Sequence, residues 1–405
     1  MFFRLYPDIK CIVGNKKILC HSLMDGKVYY FEDEYKIILD LLLQNQNTTE
    51  IYKEHDEKIC EELFEYVKNH KIGQFYDSDS IYSPNIKKFM DISSPSFSIE
   101  KFELESIKIR VTNKCNLNCI FCKQGDILNA PCLCGKSDLD NASIKKNITS
   151  IIEQAKDLGV RQLKLIGGEI YLERELVERI IEEASKNNIY TTVSTNGSLF
   201  VESDAVYLSK HNSHLVLNIF CINENDQYKL TGVLDYIEKV ERTIYLLDKY
   251  KVKYCINYIR GTYNISDKVR GKFCTKTIYE KFILSPNPYA VLKNNLPIVK
   301  VANKTTTFNN YEINEKNNLC FRNEIFIESD GKIYPCSGLR TKACELGNIS
   351  EKIYRVFQKS KYKEYWALSN FQDEKCKKCG ERLMCVNCKA FSILYGEGQQ
   401  CPNEI

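Results

Sequence analysis

No apolar run in this sequence approaches the roughly 20 residues needed to cross a bilayer, so no membrane-spanning helix is expected. The first residues, Met1-Phe2-Phe3-Arg4-Leu5-Tyr6-Pro7-Asp8, lack an apolar core and a small-residue cleavage site, so no export signal is expected. Charge of one sign is scarce. A formal net charge of +4 over 405 residues is too small to argue for nucleic acid or an anionic membrane as partner. Histidines number only 5 (His21, His55, His70, His211 and His214), all outside the cysteine motifs, and none is assigned to a metal. There is no internal repeat and no low-complexity tract. Hydrophobic content of 43% and charged content of 27% are those of a soluble globular chain. The length suits two or three domains, and the expected location is the cytoplasm.

Cysteine is abundant, with 19 residues. Without an export signal, that number points to metal or redox chemistry rather than structural disulfides. The distribution is uneven: three lie in the first hundred residues and eight after residue 319. The densest group is Cys115-Asn116-Leu117-Asn118-Cys119-Ile120-Phe121-Cys122. Three thiolates hold an iron–sulfur cubane at three of its four corners and leave one iron open to a chelating ligand. The group follows Ile107-Lys108-Ile109-Arg110-Val111, whose alternation predicts a strand. The cysteines then sit on the loop leaving the C-terminal end of a strand, where α/β barrels carry their chemistry. A zinc site or buried structural thiols are the plainer alternatives, but zinc sites usually come as two Cys-x-x-Cys halves.

The spacing, with aromatic Phe121 just before the last cysteine, resembles the signature of the radical S-adenosylmethionine (radical SAM) superfamily. That resemblance implies a partial (β/α)6 barrel within an α/β fold. It implies SAM chelating the open iron, with Cys115, Cys119 and Cys122 holding the cluster. One-electron cleavage of SAM would release a 5′-deoxyadenosyl radical that takes hydrogen from an unactivated carbon. The residues agree with such a barrel. Strands are expected at 161–166, 189–194, 215–220 and 252–259. Helices are expected at 143–158, 173–187, 203–210 and 234–249. A further helix near 267–283 and one more strand are expected before residue 310. Gly167-Gly168-Glu169 ends the second strand and resembles the superfamily's glycine motif, which holds the methionyl amino group of SAM. Ile166 and Ile170 stand where many relatives carry Thr and Pro; a plain tight turn is the alternative. Ser194 and Asn196, in Ser194-Thr195-Asn196-Gly197, match the place that lies beside the ribose and carboxylate of SAM. Asn218, Asn257 and Arg260 are weaker candidates. Cys221 and Cys255 are expected as small buried residues.

At the other end, Cys320, Gly331 and Cys336 are followed by Cys376, Cys379, Cys385, Cys388 and Cys401. A hairpin turning at Asp330-Gly331 lies between the first two. The pattern looks like the seven-cysteine SPASM extension of radical SAM enzymes, which normally holds two auxiliary 4Fe–4S clusters. By that resemblance Cys376, Cys379, Cys385 and Cys401 hold the outer cluster, and Cys320, Cys336 and Cys388 the inner one. Three 4Fe–4S clusters are then expected in all. Cys385 and Cys388 are separated by two residues where three are usual, and no cysteine lies just upstream of Cys320. The inner cluster is therefore expected to keep an open iron, to which a substrate cysteine would bind, unless Cys132, Cys134, Cys274 or Cys344 fills the place.

Residues 1–80 read as a separate winged-helix-like unit of three strands and three helices, joined by a linker at 81–103 to the barrel at 104–310 and the SPASM region at 311–405. DNA binding is the default for such a fold. Here Lys and Arg number 10 and Asp and Glu 15, the wrong sign for phosphate. The unit is similar to the precursor-peptide recognition domains of enzymes that modify ribosomally made peptides, and would hold a leader as an added strand. A structural cap is the alternative. The expected activity is peptide maturation, first a cysteine thioether crosslink, with carbon–carbon crosslinking, oxidative decarboxylation or sulfatase-type maturation as rivals. An electron donor such as flavodoxin or ferredoxin is implied. An iron–sulfur winged-helix regulator is the non-enzymatic alternative. No general base is assigned.

Overall fold

The computed structural model describes residues 1–22, 24, 27–78, 104–119, 139–219, 224–260, 278–282, 321, 323–358, 361–374, 376–382, 389–390 and 393. These fall into two compact units.

The first unit joins residues 1–78 to residues 368–382. Strand β1 (Phe2–Leu5) pairs antiparallel with β5 (Gly73–Tyr76), and β2 (Ile9–Val13), β3 (Lys17–Ser22) and β4 (Val28–Glu32) form an antiparallel meander. Three helices follow: α1 (Asp33–Leu43), α2 (Thr48–Glu54) and α3 (Glu57–Asn69). The carboxylate of Asp56 caps α3 by accepting from the backbone N–H groups of Lys58 and Ile59 at 3.0 and 3.2 Å. The period of two in β3 decides what each face buries. Ile18 and Cys20 join Ile38, Leu39, Leu42, Leu63 and Val67 in the core under the helices. Leu19 points the other way and packs with Ile12, Tyr30 and Phe371. All three strands and three helices expected here are present; β1 and β5 were not foreseen.

The second unit is built on a nine-stranded sheet. Strands β6 (Ser106–Thr112), β7 (Gln162–Gly167), β8 (Tyr190–Thr195), β9 (His214–Ile219), β10 (Lys253–Arg260) and β11 (Ile278–Phe282) run parallel in chain order. Helices α4 (Ala142–Asp157), α5 (Arg174–Lys186), α6 (Glu202–Lys210), α7 (Glu224–Thr231) and α8 (Tyr236–Lys249) make the crossovers. Their apolar stripes recur at helical spacing: Ile144, Ile148, Ile151, Ile152 and Ala155 are buried on α4. Each of these isoleucines contributes roughly 1.5–3 kcal/mol by leaving water. Beyond β6 the sheet continues with β12 (Glu324–Ile327), parallel to β6, then β13 (Lys332–Tyr334) and β14 (Gly347–Asn348), both antiparallel. Two short helices, α9 (Ile353–Gln358) and α10 (Lys361–Trp366), follow.

One expectation is corrected, and another is borne out with an addition. Residues 278–282 are strand β11, inside the expected helix near 267–283. Ile278, Tyr279 and Phe282 are strand formers, but the segment has no period of two, and pairing with β10 decides it. Second, the expected hairpin at Asp330-Gly331 is present, with Gly331 at φ +90°, but its first strand extends the barrel sheet. Ion pairs fasten that edge. Glu324 on β12 lies 2.7 Å from Lys108 and 2.5 Å from Lys164, and accepts a hydrogen bond from Ser106. Burial alone would raise the Glu324 carboxyl, but the two lysines prevail and bring it down to about 2. Arg110, fully buried on β6, faces Glu328 at 3.1 Å, and Arg340 pairs with the other carboxylate oxygen at 3.1 Å.

Candidate functional site

The site forms where β6, β7 and β8 reach their C-terminal ends. After Thr112 the chain turns, with the Thr112 hydroxyl accepting from the Lys114 N–H at 3.2 Å. Leu117 and Cys119 are buried and Cys115 half-buried. Backbone bonds fix this loop to its neighbours. Gly168 N–H donates to Thr112 O at 3.0 Å and Glu169 N–H to Lys114 O at 2.8 Å. Asn118 N–H donates to Thr231 O at 2.8 Å, at the end of α7. The two glycines after β7 are needed for this closeness. A Cβ on Gly168 would meet Lys114 O at 2.2 Å and Cys115 Cβ at 3.0 Å; one on Gly167 would meet Thr112 O at 2.8 Å. In this structure the Gly-Gly pair lets β7 approach the cysteine loop itself.

Glu169 is wholly buried, and its carboxylate is committed to the protein. It accepts from Tyr171 N–H at 3.0 Å, from the Thr195 hydroxyl at 2.7 Å and from Asn196 N–H at 2.8 Å. Burial pushes its carboxyl up, and these hydrogen bonds pull it part of the way back. The Glu169 side chain thus ties the end of β7 to the end of β8. Asn196 is held by that tie and turns its amide toward the loop. It donates to Asn116 Oδ1 at 3.2 Å and lies 3.8 Å from Cys115 Sγ. Ser198 closes the circuit, donating to Asn196 Oδ1 at 2.6 Å and accepting from Asn116 at 2.8 Å. Gly197, at φ +79°, makes the intervening turn. Ser194 accepts from Asn218 at 2.8 Å, and Asn218 accepts from Asn257 at 3.0 Å. Buried amides therefore run along the ends of β8, β9 and β10.

Cys115, Gly167, Gly168, Glu169 and Asn196 are thus brought together; Ser194 lies near the end of β8 and bonds Asn218, and Cys119 is buried further along the loop. Phe121 and Cys122 lie outside the described residues. Sequence reasoning missed Thr195 and Ser198, ordinary hydroxyls whose partners become visible only when β7 and β8 are adjacent. It also missed Thr231-Gly232, which packs on Asn118.

The C-terminal cysteines fall in two places. Cys336 follows β13, and Gly338 N–H donates to its sulfur at 3.3 Å. Cys376 and Cys379 belong to the first unit, the former on a short 3-10 turn (Cys376–Lys378) and the latter just after it. That turn is seated on the β2–β3 hairpin. Asn15 N–H donates to Lys378 O at 3.0 Å, Lys17 pairs with Glu381 at 2.5 Å, and Arg382 donates to Val13 O at 3.2 Å. Gly14 and Gly380 touch backbone to backbone: a Cβ on Gly14 would stand 2.1 Å from Gly380 N. Cys320, Cys385, Cys388 and Cys401 lie outside the described residues, as do Cys132, Cys134, Cys221 and Cys274. Cys255 is buried in β10, as expected of a small core residue. Among the described residues no set of three or more His, Cys, Asp or Glu is assembled for a metal. Each expected cluster has at least one ligand beyond them.

The profile of the Radical SAM superfamily matches residues 109–268, and that of the iron–sulfur cluster-binding SPASM domain matches residues 320–380. The chain carries a radical SAM domain and a SPASM domain, and it is an enzyme. A curated relative, the cysteine-type anaerobic sulfatase-maturating enzyme of Clostridium perfringens, is 26% identical over 314 residues, covering 67% of this chain and 84% of the relative. The solved structure of native anSMEcpe with bound AdoMet matches with a TM-score of 0.54 at 21% identity, over 70% of this chain and 89% of that one. Streptococcus suis SuiB bound to precursor peptide SuiA matches with a TM-score of 0.54 at 16% identity, over 99% of this chain and 98% of that one. At such identities the two structures show the fold.

The residues at the strand ends suit the group this family carries. Cys115 and Cys119 offer soft sulfur ligands on one loop, and the amide of Asn196 lies against the first of them. Among the described residues no helix is long and apolar enough to cross a membrane.

Proposed function

We propose that this enzyme modifies a ribosomally made precursor peptide, joining a cysteine sulfur to a carbon of another residue with net loss of two hydrogens. Cys115, Cys119 and Cys122 would hold the SAM cluster; Gly168, Ser194 and Asn196 would face SAM. When bound, this cofactor supplies a 5′-deoxyadenosyl radical that takes hydrogen from an unactivated carbon. The chain's own part is placement. Glu169 fixes the β8 end through Thr195 and Asn196, and Asn116 and Ser198 hold the Asn196 amide in one orientation. Such pre-set hydrogen bonds reduce the reorganisation needed at reaction. The SPASM domain would carry two auxiliary clusters, for three in all, with flavodoxin or ferredoxin as electron donor.

The observation that carries the peptide reading is the meander of the first unit. Among the described residues β4 is paired on one side only, with β3. Such an edge takes an extended peptide as a further strand. A groove lined by Tyr6, Ser22, Lys27, Tyr29 and His70 lies beside it. Relatives named for maturation of a protein and a structure titled with a bound precursor peptide support the same reading.

Removing residues 1–78 would also strip the seat from residues 368–382, so a point change is the cleaner test. Tyr30→Pro removes a backbone donor from the edge strand. Leader affinity, read by fluorescence anisotropy, should fall about tenfold, the loss of one hydrogen bond. SAM cleavage without peptide should persist. Undiminished modification by a variant that no longer binds leader would overturn the recognition role.

A further inference from the structure

Cys11 and Cys20 belong to none of the cysteine motifs, and the fold sets them face to face. Cys11 on β2 is the direct partner of Cys20 on β3, and Cys20 is in turn opposite Tyr29 on β4. The hairpin's hydrogen bonds decide the kind of pair. Gly14 N–H donates to Lys17 O at 2.9 Å, which makes residues 14 and 17 a hydrogen-bonded pair. Along an antiparallel ladder such pairs alternate with non-hydrogen-bonded ones. Counting back through Val13–Ile18 and Ile12–Leu19 makes Cys11–Cys20 a non-hydrogen-bonded pair. The other side of β3 agrees. Ser22 N–H donates to Lys27 O at 2.9 Å, so by the same alternation the backbone groups of Cys20 turn toward β4.

A non-hydrogen-bonded pair brings its Cα atoms to about 4.5 Å, inside the roughly 4.4–6.8 Å that a disulfide spans. The two sulfurs already touch, 3.4 Å apart. Cys20 is wholly buried in the core under the helices. Cys11 is half-buried, on a strand that is paired on one side only among the described residues. One sulfur is thus open to a reagent in solvent, and the other is reached through it. Among the described residues no third His, Cys, Asp or Glu joins the pair, so it is not assembled for a metal. Cys60, buried in the same core, has no such path to solvent and packs as a small hydrophobe.

We propose that Cys11 and Cys20 are a redox modification site, which closes to a cross-strand disulfide by exchange with a small-molecule disulfide. The Cys11 thiolate attacks one sulfur of that molecule, forming a mixed disulfide and releasing the first small thiol. Cys20 then attacks the Cys11 sulfur and displaces the second. The two cysteines lose two electrons, the small disulfide gains them, and the two thiol protons end on the two released thiols. The new bond ties the edge strand β2 to β3, on the hairpin that seats the Cys376–Lys378 turn. It uses neither SAM nor a cluster, and it forms whether or not this unit reads a peptide.

The test uses the full, anaerobically reconstituted chain, with glutathione disulfide as the probe. Free thiols are quenched with N-ethylmaleimide before digestion. Trypsin cuts after Lys10, Lys16, Lys17 and Lys27, so Cys11 leaves in residues 11–16 and Cys20 in residues 18–27. A joined pair of these two peptides, lighter than their sum by two hydrogens, should accumulate and should vanish with dithiothreitol. The glutathione adduct of Cys11 should stay a minor species, because the second thiol is already in contact. Cys60 should remain a free thiol. Cys11→Ser should give no joined pair and leave Cys20 unmodified in the folded chain. Backbone amides of β2 should exchange with solvent more slowly in the joined form. Cys11 accumulating as the glutathione adduct without joining Cys20 overturns the proposal. So do two thiols that both stay free, or a Cys20 in the Cys11→Ser chain that is oxidised as fast as in the parent. Equal amide exchange in the two forms overturns the tie between β2 and β3.

Discussion

Two short cysteine segments in this enzyme are supported in opposite ways. The Cys115–Cys119 loop is an extension of a buried parallel sheet. Its backbone is bonded to the ends of β7 and α7, and its side chains meet a closed circuit of Asn116, Asn196 and Ser198. The Cys376–Lys378 turn has little core of its own. Its fixed points are Lys378, Glu381 and Arg382, each bound to residues 13–17 on a hairpin more than 350 positions earlier in the chain. The first segment takes its shape from the protein. The second takes its place from a distant hairpin and, under the SPASM reading, from its metal. The difference teaches that a motif's spacing in sequence says nothing of how firmly the fold holds it.

The largest effect should come from disturbing the first support. Gly168→Ala drives a Cβ into Lys114 O and toward Cys115. A displacement of about 1 Å costs on the order of 100-fold in rate. SAM cleavage, followed as 5′-deoxyadenosine, should fall by about that factor while leader binding is kept. Near-normal cleavage would mean that the loop is not rigidly placed.

Next comes the edge on which the SPASM domain joins the barrel sheet. Glu324→Gln leaves Lys108 and Lys164 without their carboxylate and should cost roughly 3 kcal/mol in urea unfolding. Because the Glu324 carboxyl is held at about 2, its contribution is complete above its ordinary value near 4.5. It is lost as pH falls toward 2. The variant should therefore show a flatter decline of stability across that acid range. An identical acid profile in both proteins would remove Glu324 from the account.

The smallest effect belongs to the second support. Lys17→Ala breaks a partly exposed pair with Glu381 and should cost about 1 kcal/mol or less. If the metal shares the work of holding the Cys376–Lys378 turn, iron should be lost faster to a chelator from this variant than from the parent. Equal rates would show that the hairpin is dispensable to the turn.

The parallel strands β6 to β10 and their main helices could be read from the sequence, because apolar periodicity and Gly, Asn and Asp turns mark them independently of tertiary contacts. The cysteine loop, the Gly-Gly pair and Asn196 were legible as motifs. What Glu169 does was not. Its side chain braces β7 against β8, and its partners Thr195 and Asn196 lie 26 and 27 residues away, at the end of the next strand. Strand β11 was masked by a segment whose composition also suits a helix. The joining of β12 to β6 was invisible, since a parallel pair 218 residues apart leaves no local trace. The same holds for the seat of Cys376 and Cys379 on the first hairpin, where only Gly14 and Gly380 hint at a close approach.

Under the proposed function, this chain uses radical SAM chemistry to crosslink a peptide through cysteine. The most direct measurement is the mass of a cysteine-bearing precursor peptide after incubation with the full, anaerobically reconstituted enzyme, SAM and dithionite. The account predicts a product lighter by two hydrogens, with one cysteine resistant to alkylation, and no change for the Cys→Ser peptide. A serine peptide that loses the same two hydrogens, or a cysteine peptide that emerges unaltered while SAM is cleaved, would contradict it.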